Sequence, residues 1–242
     1  MPANVALLTL VDQLFMLSAM DKAAAACIAE STGWLSRQPE EFRAEVIRRS
    51  HLRRFEAGEI LYHAGDPPGG VYGLVEGVLT VTLPAGQIVT VKRPGFWVGE
   101  TAAMRRQNRV ITLSVVARSD ILYLPLAEFE RMIADPAHCR LFATMSIEHL
   151  DEALSIIGYL MANDPTVRVA GRLLTLAEAQ AIPEGSAMRL TQSDLAQMCG
   201  VSRQTVNKVL TGLSVRNVIA AKYGMLTILD ARHLRFLAGE VA

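Results

Sequence analysis

Cysteine is scarce in this 242-residue chain: Cys27, Cys139 and Cys199 are its only thiols, and no pair of them has CxxC spacing. An odd, scattered set excludes a disulfide framework and a four-cysteine metal site, so buried thiols are expected. Net charge is also missing, since 24 Lys and Arg balance 24 Asp and Glu. The one apolar segment that resembles a targeting signal, VALLTLVDQLFMLSAM, has no basic region before it and is broken by Asp12 and Gln13. That predicts a soluble cytoplasmic protein with no membrane contact. No GxSxG, P-loop or HExxH motif occurs, and no H-x-H pair offers the metal ligands of a small β-roll enzyme. The expectation is therefore no enzyme, no metal and no cofactor.

What is present is organised in blocks. Residues 4–30 read as helical, with Leu7, Leu10, Leu14 and Leu17 on one stripe, suited to packing on the next domain or to a partner contact. A short helix is expected at PEEFRAEVIRRS, where Pro39 and two glutamates suit the first turn. From His51 to about Leu124, short β-branched runs are cut by glycines and by Asp-Pro. This predicts a small antiparallel roll or barrel, and without crossover helices a parallel nucleotide-binding sheet is excluded.

After Pro136 the residues Ile147, Leu150, Leu154, Ile157 and Met161 step by three and four, the spacing of a coiled-coil seam. A seam needs a partner: either the same helix of a second copy or the protein's own roll. Phe142, Met145 and Leu160 lie beside it and suit the roll, which favours a homodimer. Asn163-Asp164-Pro165 ends this helix and caps the next.

Overall neutrality hides a split at this point. Residues 1–165 carry 15 Lys and Arg against 19 Asp and Glu, a net −4; residues 166–242 carry 9 against 5, a net +4. A mildly basic tail domain suits contact with phosphate. Within it, LTQSDLAQMCG is a helix with Thr191 and Asp194 in a capping-box-like arrangement, and Leu195 and Met198 point inward. A tight turn at Gly200 and Ser202 as N-cap open a second helix, GVSRQTVNKVL. Val206, Val209, Leu210 and Leu213 form its apolar stripe, and Arg203, Gln204, Asn207 and Lys208 share a face with no acid. NVIAAKY and MLTILD around Gly224 predict a hairpin beside it.

A helix-turn-helix projects its second helix into the major groove of double-stranded DNA. Arg203 suits guanine O6 and N7, and Gln204 suits adenine N6 and N7. Thr191, Ser193, Ser202, Thr205 and Lys208 suit phosphates or nearby base edges, with Asn207 beside them.

The order of roll, long helix and winged helix-turn-helix, with RFEAGEILYHAGD, GVYGLVEGVLTV, PGFWVGE and GVSRQTVNKVL, resembles the CRP/FNR superfamily of bacterial transcription regulators over roughly residues 33–242. The resemblance implies an α+β protein with an N-terminal helical extension at 1–32, a cyclic-nucleotide-binding-like β-roll at 33–135, a dimerisation helix and hinge at 136–164, and a winged helix-turn-helix at 165–242. It implies a homodimer on a near-palindromic site, with RNA polymerase as a further partner. In the catabolite activator branch the recognition helix reads S-R-E-T-V-G-R. Here Arg203 keeps the guanine reader, Gln204 replaces Glu and Lys208 replaces the later Arg, implying an altered half-site.

In cyclic-AMP-binding members a G-E pair and an R-S/T-A segment hold the nucleotide. Gly99-Glu100 and Arg109 match, so Glu100 keeps the type that binds a ribose hydroxyl and Arg109 the type that binds a phosphate. Val110 removes the hydroxyl, and the loop TAAMRRQN is a residue short. The adenine-contacting Thr-Ser pair aligns with Ala153 and Leu154. Each ligand group left unpaired costs roughly 1–3 kcal/mol, so the expected effector is a small molecule other than cyclic AMP, or none. The oxygen-sensing branch needs an N-terminal cysteine cluster where only Cys27 stands. His51 and His63 are lone histidines rather than haem ligands, and an anion on Arg105, Arg106 or Arg109 stays open. The competing readings are a protein-interaction module built on the helix-turn-helix and a cyclic-nucleotide-responsive regulator.

Overall fold

The structure, a computed structural model, describes residues 20–179, 182–222 and 224–239. The leucine stripe at 7–17 lies outside them. Three helices open the described chain: α1 (Lys22–Ser31), α2 (Gly33–Ser36) and α3 (Glu40–Arg49). Pro39 sits at the N-cap of α3, one place earlier than expected, because its fixed φ of −55° lies in an extended conformation with ψ 145°. Glu40 and Glu41 begin that helix and Arg48 and Arg49 end it, each charge on the favourable end of the helix dipole.

The roll follows as β1 (His51–Phe55), β2 (Ile60–Tyr62), β3 (Val71–Thr82), β4 (Ile88–Lys92), β5 (Trp97–Val98) and, after α4 (Glu100–Arg105), β6 (Thr112–Leu124). All recorded pairings are antiparallel, in the order β1-β6-β3-β4, with β2 on β6 and β5 on β3. Alternation along these strands sends Leu74, Leu79, Leu113 and Ile121 inside, which is the reason a glycine-punctuated sequence closes into a roll. At its base Trp34, Phe42, Trp97, Phe129 and Phe142 pack with Ala25 and Ala29 of α1 in one cluster, so the early helices share the roll's core. Cys27 lies on the outer face of α1 and is exposed, and Cys139 is half-buried. Only Cys199 meets the expectation of a buried thiol.

After α5 (Leu126–Ile133) comes α6 (Pro136–Met161), which begins at the expected proline with Asp135 as its N-cap. Phe142 and Met145 are buried, whereas Ile147, Leu150, Leu154, Ile157 and Met161 are each between 50% and 76% exposed. Leu160 departs from its expected place against the roll. It is 38% exposed, and it is the neighbouring Tyr159 that packs inward, against the C-terminal core.

The C-terminal region contains α7 (Pro165–Ala179), β7 (Ala187–Arg189), α8 (Gln192–Cys199), α9 (Arg203–Val215), β8 (Ile219–Lys222), β9 (Met225–Ile228) and α10 (Ala231–Leu237). The expected hairpin is β8-β9, and a third strand, β7, pairs with β9. Val169, Leu173, Leu195, Met198, Val206, Leu210 and Leu213 fill the core beneath them. No described helix is long and apolar enough to cross a membrane.

Candidate nucleic-acid interface and effector cavity

The local geometry of the two-helix motif follows from its caps. Thr191 Oγ1 accepts from Asp194 N–H at 3.1 Å and donates to the Asp194 carboxylate at 2.7 Å. Asp is one carbon shorter than the usual Glu, and here its carboxylate takes the cap's hydroxyl. Gly200 turns the chain in the left-handed region at φ 62°. Ser202 then accepts from Thr205 N–H at 3.0 Å, with the two hydroxyls 2.8 Å apart. The hydroxyls of Thr191, Ser202 and Thr205 thus serve the helix ends, and one hydrogen of the Ser202–Thr205 pair stays available to an outside acceptor.

On α9, Arg203, Gln204, Asn207 and Lys208 are all exposed, and so is Ser193 of α8. Gln204, Thr205 and Lys208 line a groove of about 600 Å³ whose other wall is Asp164, Pro165 and Thr166. Arg216, at the end of α9, reaches the same groove. Sequence reasoning missed it, because Arg216 falls beyond the apolar period that marks the helix. Asp164 caps α7 through Thr166 N–H at 2.7 Å.

The second candidate site is a cavity of about 460 Å³ between the roll and α6. It brings together Gly99, Glu100 and Arg109. Gly99 begins α4 at φ 116°, and a side chain there would sit 2.7 Å from the Arg109 guanidinium, so glycine makes room for it. Arg109 is buried, donates to the Gly70 and Gly99 carbonyls at 2.9 and 3.2 Å, and lies 4.2 Å over the Tyr62 ring. Glu100 Oε1 accepts from Ser146 and Thr101 at 3.0 Å each and lies 3.1 Å from His149 Nδ1. Burial raises the Glu100 carboxyl, but the His149 ring and these hydrogen bonds outweigh it and hold the group below its usual value.

Neither Ser146 nor His149 was singled out in the sequence. The available signal was polar residues at three-residue steps, Ser146, His149 and Glu152, in a helix otherwise marked by its seam. Ala153 lines the cavity and Leu154 is exposed on the seam. Val110 also lines the cavity. Arg105 and Arg106 are exposed, and Arg106 pairs with Glu130 at 3.1 Å. Among the described residues no group of three His, Cys, Asp or Glu can hold a metal ion.

Between the two sites lies a buried charge junction. Lys92 of β4 donates to both carboxylate oxygens of Glu152 at 2.6 Å. Burial pulls the Lys92 ammonium below its usual value, with Glu152 acting against it. Arg172 of α7 feels the same carboxylate, yet it is 2% exposed and none of its three guanidinium nitrogens has a hydrogen-bond partner among the described residues. Cys199 packs beside it, its thiol pushed up to about 12 by burial.

Comparison with known proteins matches residues 52–135 to the cyclic nucleotide-binding domain and residues 167–237 to the Crp-like helix-turn-helix domain. The cAMP-activated global transcriptional regulator CRP of Salmonella typhimurium is 23% identical over 195 residues, covering 77% of this chain and 93% of the relative. A CRP-like cAMP-activated regulator of Mycobacterium tuberculosis is 26% identical over 189 residues, covering 74% and 84%. Among solved structures, FixK2 of Bradyrhizobium japonicum superposes with a TM-score of 0.69 at 18% identity over 80% of this chain and 99% of its own. A CRP/FNR family transcriptional regulator of Thermus thermophilus superposes with a TM-score of 0.62 at 26% identity over 78% and 98%. Since single alignments run through both regions, in sequence and in fold alike, the chain belongs to the CRP/FNR superfamily of transcription regulators.

Proposed function

We propose that the protein acts as a homodimer that reads a near-palindromic DNA site through two copies of α9. The observation that carries this reading is the exposed, acid-free face of Arg203, Gln204, Asn207 and Lys208 on the N-terminal half of the second helix of the motif. Those positions meet base edges when such a helix enters a major groove. Arg203 is the guanine reader and Gln204 the adenine reader. Ser193, Thr205, Lys208 and Arg216 hold phosphates along the groove beside the start of α7.

Dimerisation rests on the seam of α6. Five apolar residues at coiled-coil spacing, all at least half exposed in the single chain, are covered when two copies of the helix meet. The domain limits are those the resemblance implies: a roll from 33 to 135, the dimer helix and hinge to 164, and the DNA-binding domain from 165. The working compartment is the cytoplasm, and RNA polymerase is the partner through which a bound regulator acts. The roll takes an effector other than cyclic AMP. Arg109 is already engaged by two carbonyls and a ring, and Ala153 and Leu154 offer no hydrogen bond to a base.

Selection of a randomised duplex pool by the purified protein at moderate salt, followed by sequencing, tests the reading. The expected result is a palindrome with a fixed guanine in each half, and binding that weakens steeply as salt rises because phosphates are neutralised. Retention without sequence preference, or binding indifferent to salt, overturns it.

A further inference from the structure

We propose that the cavity between the roll and α6 binds an uncharged, mainly apolar molecule carrying one hydroxyl group, which donates to Glu100 Oε2. This deepens the effector-domain reading above and rests on it. The walls are hydrocarbon from both sides: Val81, Val89, Val98 and Ile111 from the roll, Leu150 and Ile156 from α6.

Four charged side chains also border the cavity, and each is paired or hydrogen-bonded within the protein, with one oxygen of Glu100 and one nitrogen of Arg109 left over. Lys92 and Glu152 neutralise one another at 2.6 Å. Arg109 is held by the carbonyls of Gly70 and Gly99 and by the Tyr62 ring. Glu100 has Ser146, Thr101 and His149 on its Oε1. The two cations and two carboxylates sum to zero. An anionic ligand that binds through the terminal nitrogens of Arg109 or through Lys92 therefore has to break the carbonyl bonds or the Glu152 pair, and either break leaves buried polar groups unpaired.

What remains for a ligand is narrow. Glu100 Oε2, Thr90 Oγ1 and Arg109 Nε are buried lining atoms with no hydrogen-bond partner among the described residues. Glu100 is an acceptor when ionised and Arg109 Nε–H is a donor, so the matching ligand group is a hydroxyl, which can both donate and accept, and the Thr90 hydroxyl can do either as well. A volume of about 460 Å³ falls in the range of small-molecule pockets, which are mostly apolar with a few placed polar groups. The ligand class is an aliphatic or aromatic alcohol.

The test is calorimetric titration of the full-length protein with n-decanol, n-decanoate and cyclic AMP in parallel, without DNA. Binding of decanol at least about tenfold tighter than decanoate and cyclic AMP is expected, a tenfold step being one hydrogen-bonded or charged contact won or lost. Ala153→Phe, which fills the cavity from α6, is expected to abolish decanol binding while leaving the thermal midpoint near that of the parent. Glu100→Gln keeps the shape but weakens the acceptor, and is expected to loosen decanol without affecting an alkane of equal length. Decanoate or cyclic AMP binding as tightly as decanol overturns the proposal, and so does failure of all three probes to bind. The same preparation is carried through the duplex selection without ligand. Intact selection with no ligand binding sinks this proposal alone, whereas lost selection sinks the regulator reading whatever calorimetry reports.

Discussion

Glu152 is the carboxylate at a junction that holds two buried cations, and Glu152→Gln measures what it does. The change keeps the shape and one acceptor but removes the charge. Lys92, 6% exposed at its side chain, is left without its counter-ion, and Arg172 loses the carboxylate whose field it feels. Removing one partner of a buried pair costs about 3–5 kcal/mol. Glu152 is itself 23% exposed at the side chain, and glutamine still accepts one hydrogen bond, so the expected loss is nearer 2–3 kcal/mol. For a chain of this length that lowers the thermal midpoint by about 4–12 °C. The assay is thermal unfolding followed by circular dichroism at fixed protein concentration.

Two further variants test the reason as well as the size. Lys92→Met with Glu152→Leu replaces the pair by hydrocarbon and should recover most of the loss, as well-packed apolar replacements of buried ion pairs do. Arg172→Met should raise the midpoint, because it removes a guanidinium with three unpartnered buried nitrogens. If Glu152→Gln leaves the midpoint within about 1 °C of the parent, the pair contributes nothing and the argument from burial is wrong. If Arg172→Met lowers it as much as Glu152→Gln does, Arg172 is satisfied by groups other than the described residues.

Three other outcomes are expected. Arg203→Ala should cost about 1–3 kcal/mol of DNA affinity and relax one guanine per half-site, read by repeating the selection; unchanged specificity refutes its role as a base reader. The Glu100 carboxyl lies below its usual value in the folded protein, so the unfolded chain takes up the proton first as pH falls. Its stabilisation is present above the ordinary carboxylate range and lost as pH falls through the depressed value. Urea midpoints on an acid series should show Glu100→Gln less pH-dependent than the parent, and parallel curves would contradict this. Under alkylation with iodoacetamide at mildly alkaline pH, exposed Cys27 should be modified in the native state and Cys199, fully buried with its thiol raised to about 12, only on unfolding. Mass mapping of the labelled peptides decides it, and early labelling of Cys199 counts against the packing of α7 on α8.

The readable parts of this sequence were those in which one residue type has one physical use. Ser202, Thr191 and Asp164 stop or start helices because their oxygens reach backbone N–H groups, so the motif could be placed to within a residue. Strand β7 escaped notice because its three residues carry one large apolar side chain, Met188, and a period of two cannot be seen in three positions. Exposure of Cys27 was hidden for a similar reason: four alanines precede it, and an alanine-rich helix does not show which face is buried. Arg172 sits in the apolar run VRVAGRLLTLA, where periodicity places it inside but composition reads it as surface.

The cavity was the least legible feature, and α6 explains why. The seam runs 147, 150, 154, 157 and 161. A second stripe with the same three-and-four spacing runs 142, 145, 149, 152 and 156, offset by two residues and so roughly 200° round the helix. It begins with buried Phe142 and Met145 and ends with buried Ile156. Between them are His149 and Glu152, which a search for apolar repeats counts as breaks. They are polar because the roll presents Glu100 of α4 and Lys92 of β4 at those levels, both distant in sequence. Only the folded chain brings these partners together. The same geometry makes the cavity and the seam share α6, with Leu150 bordering both, and it puts Glu152 beside Lys92 of the roll, within the field felt by Arg172 of α7. Anything that enters the cavity and moves α6 therefore acts on both the seam and the charged junction of Lys92, Glu152 and Arg172.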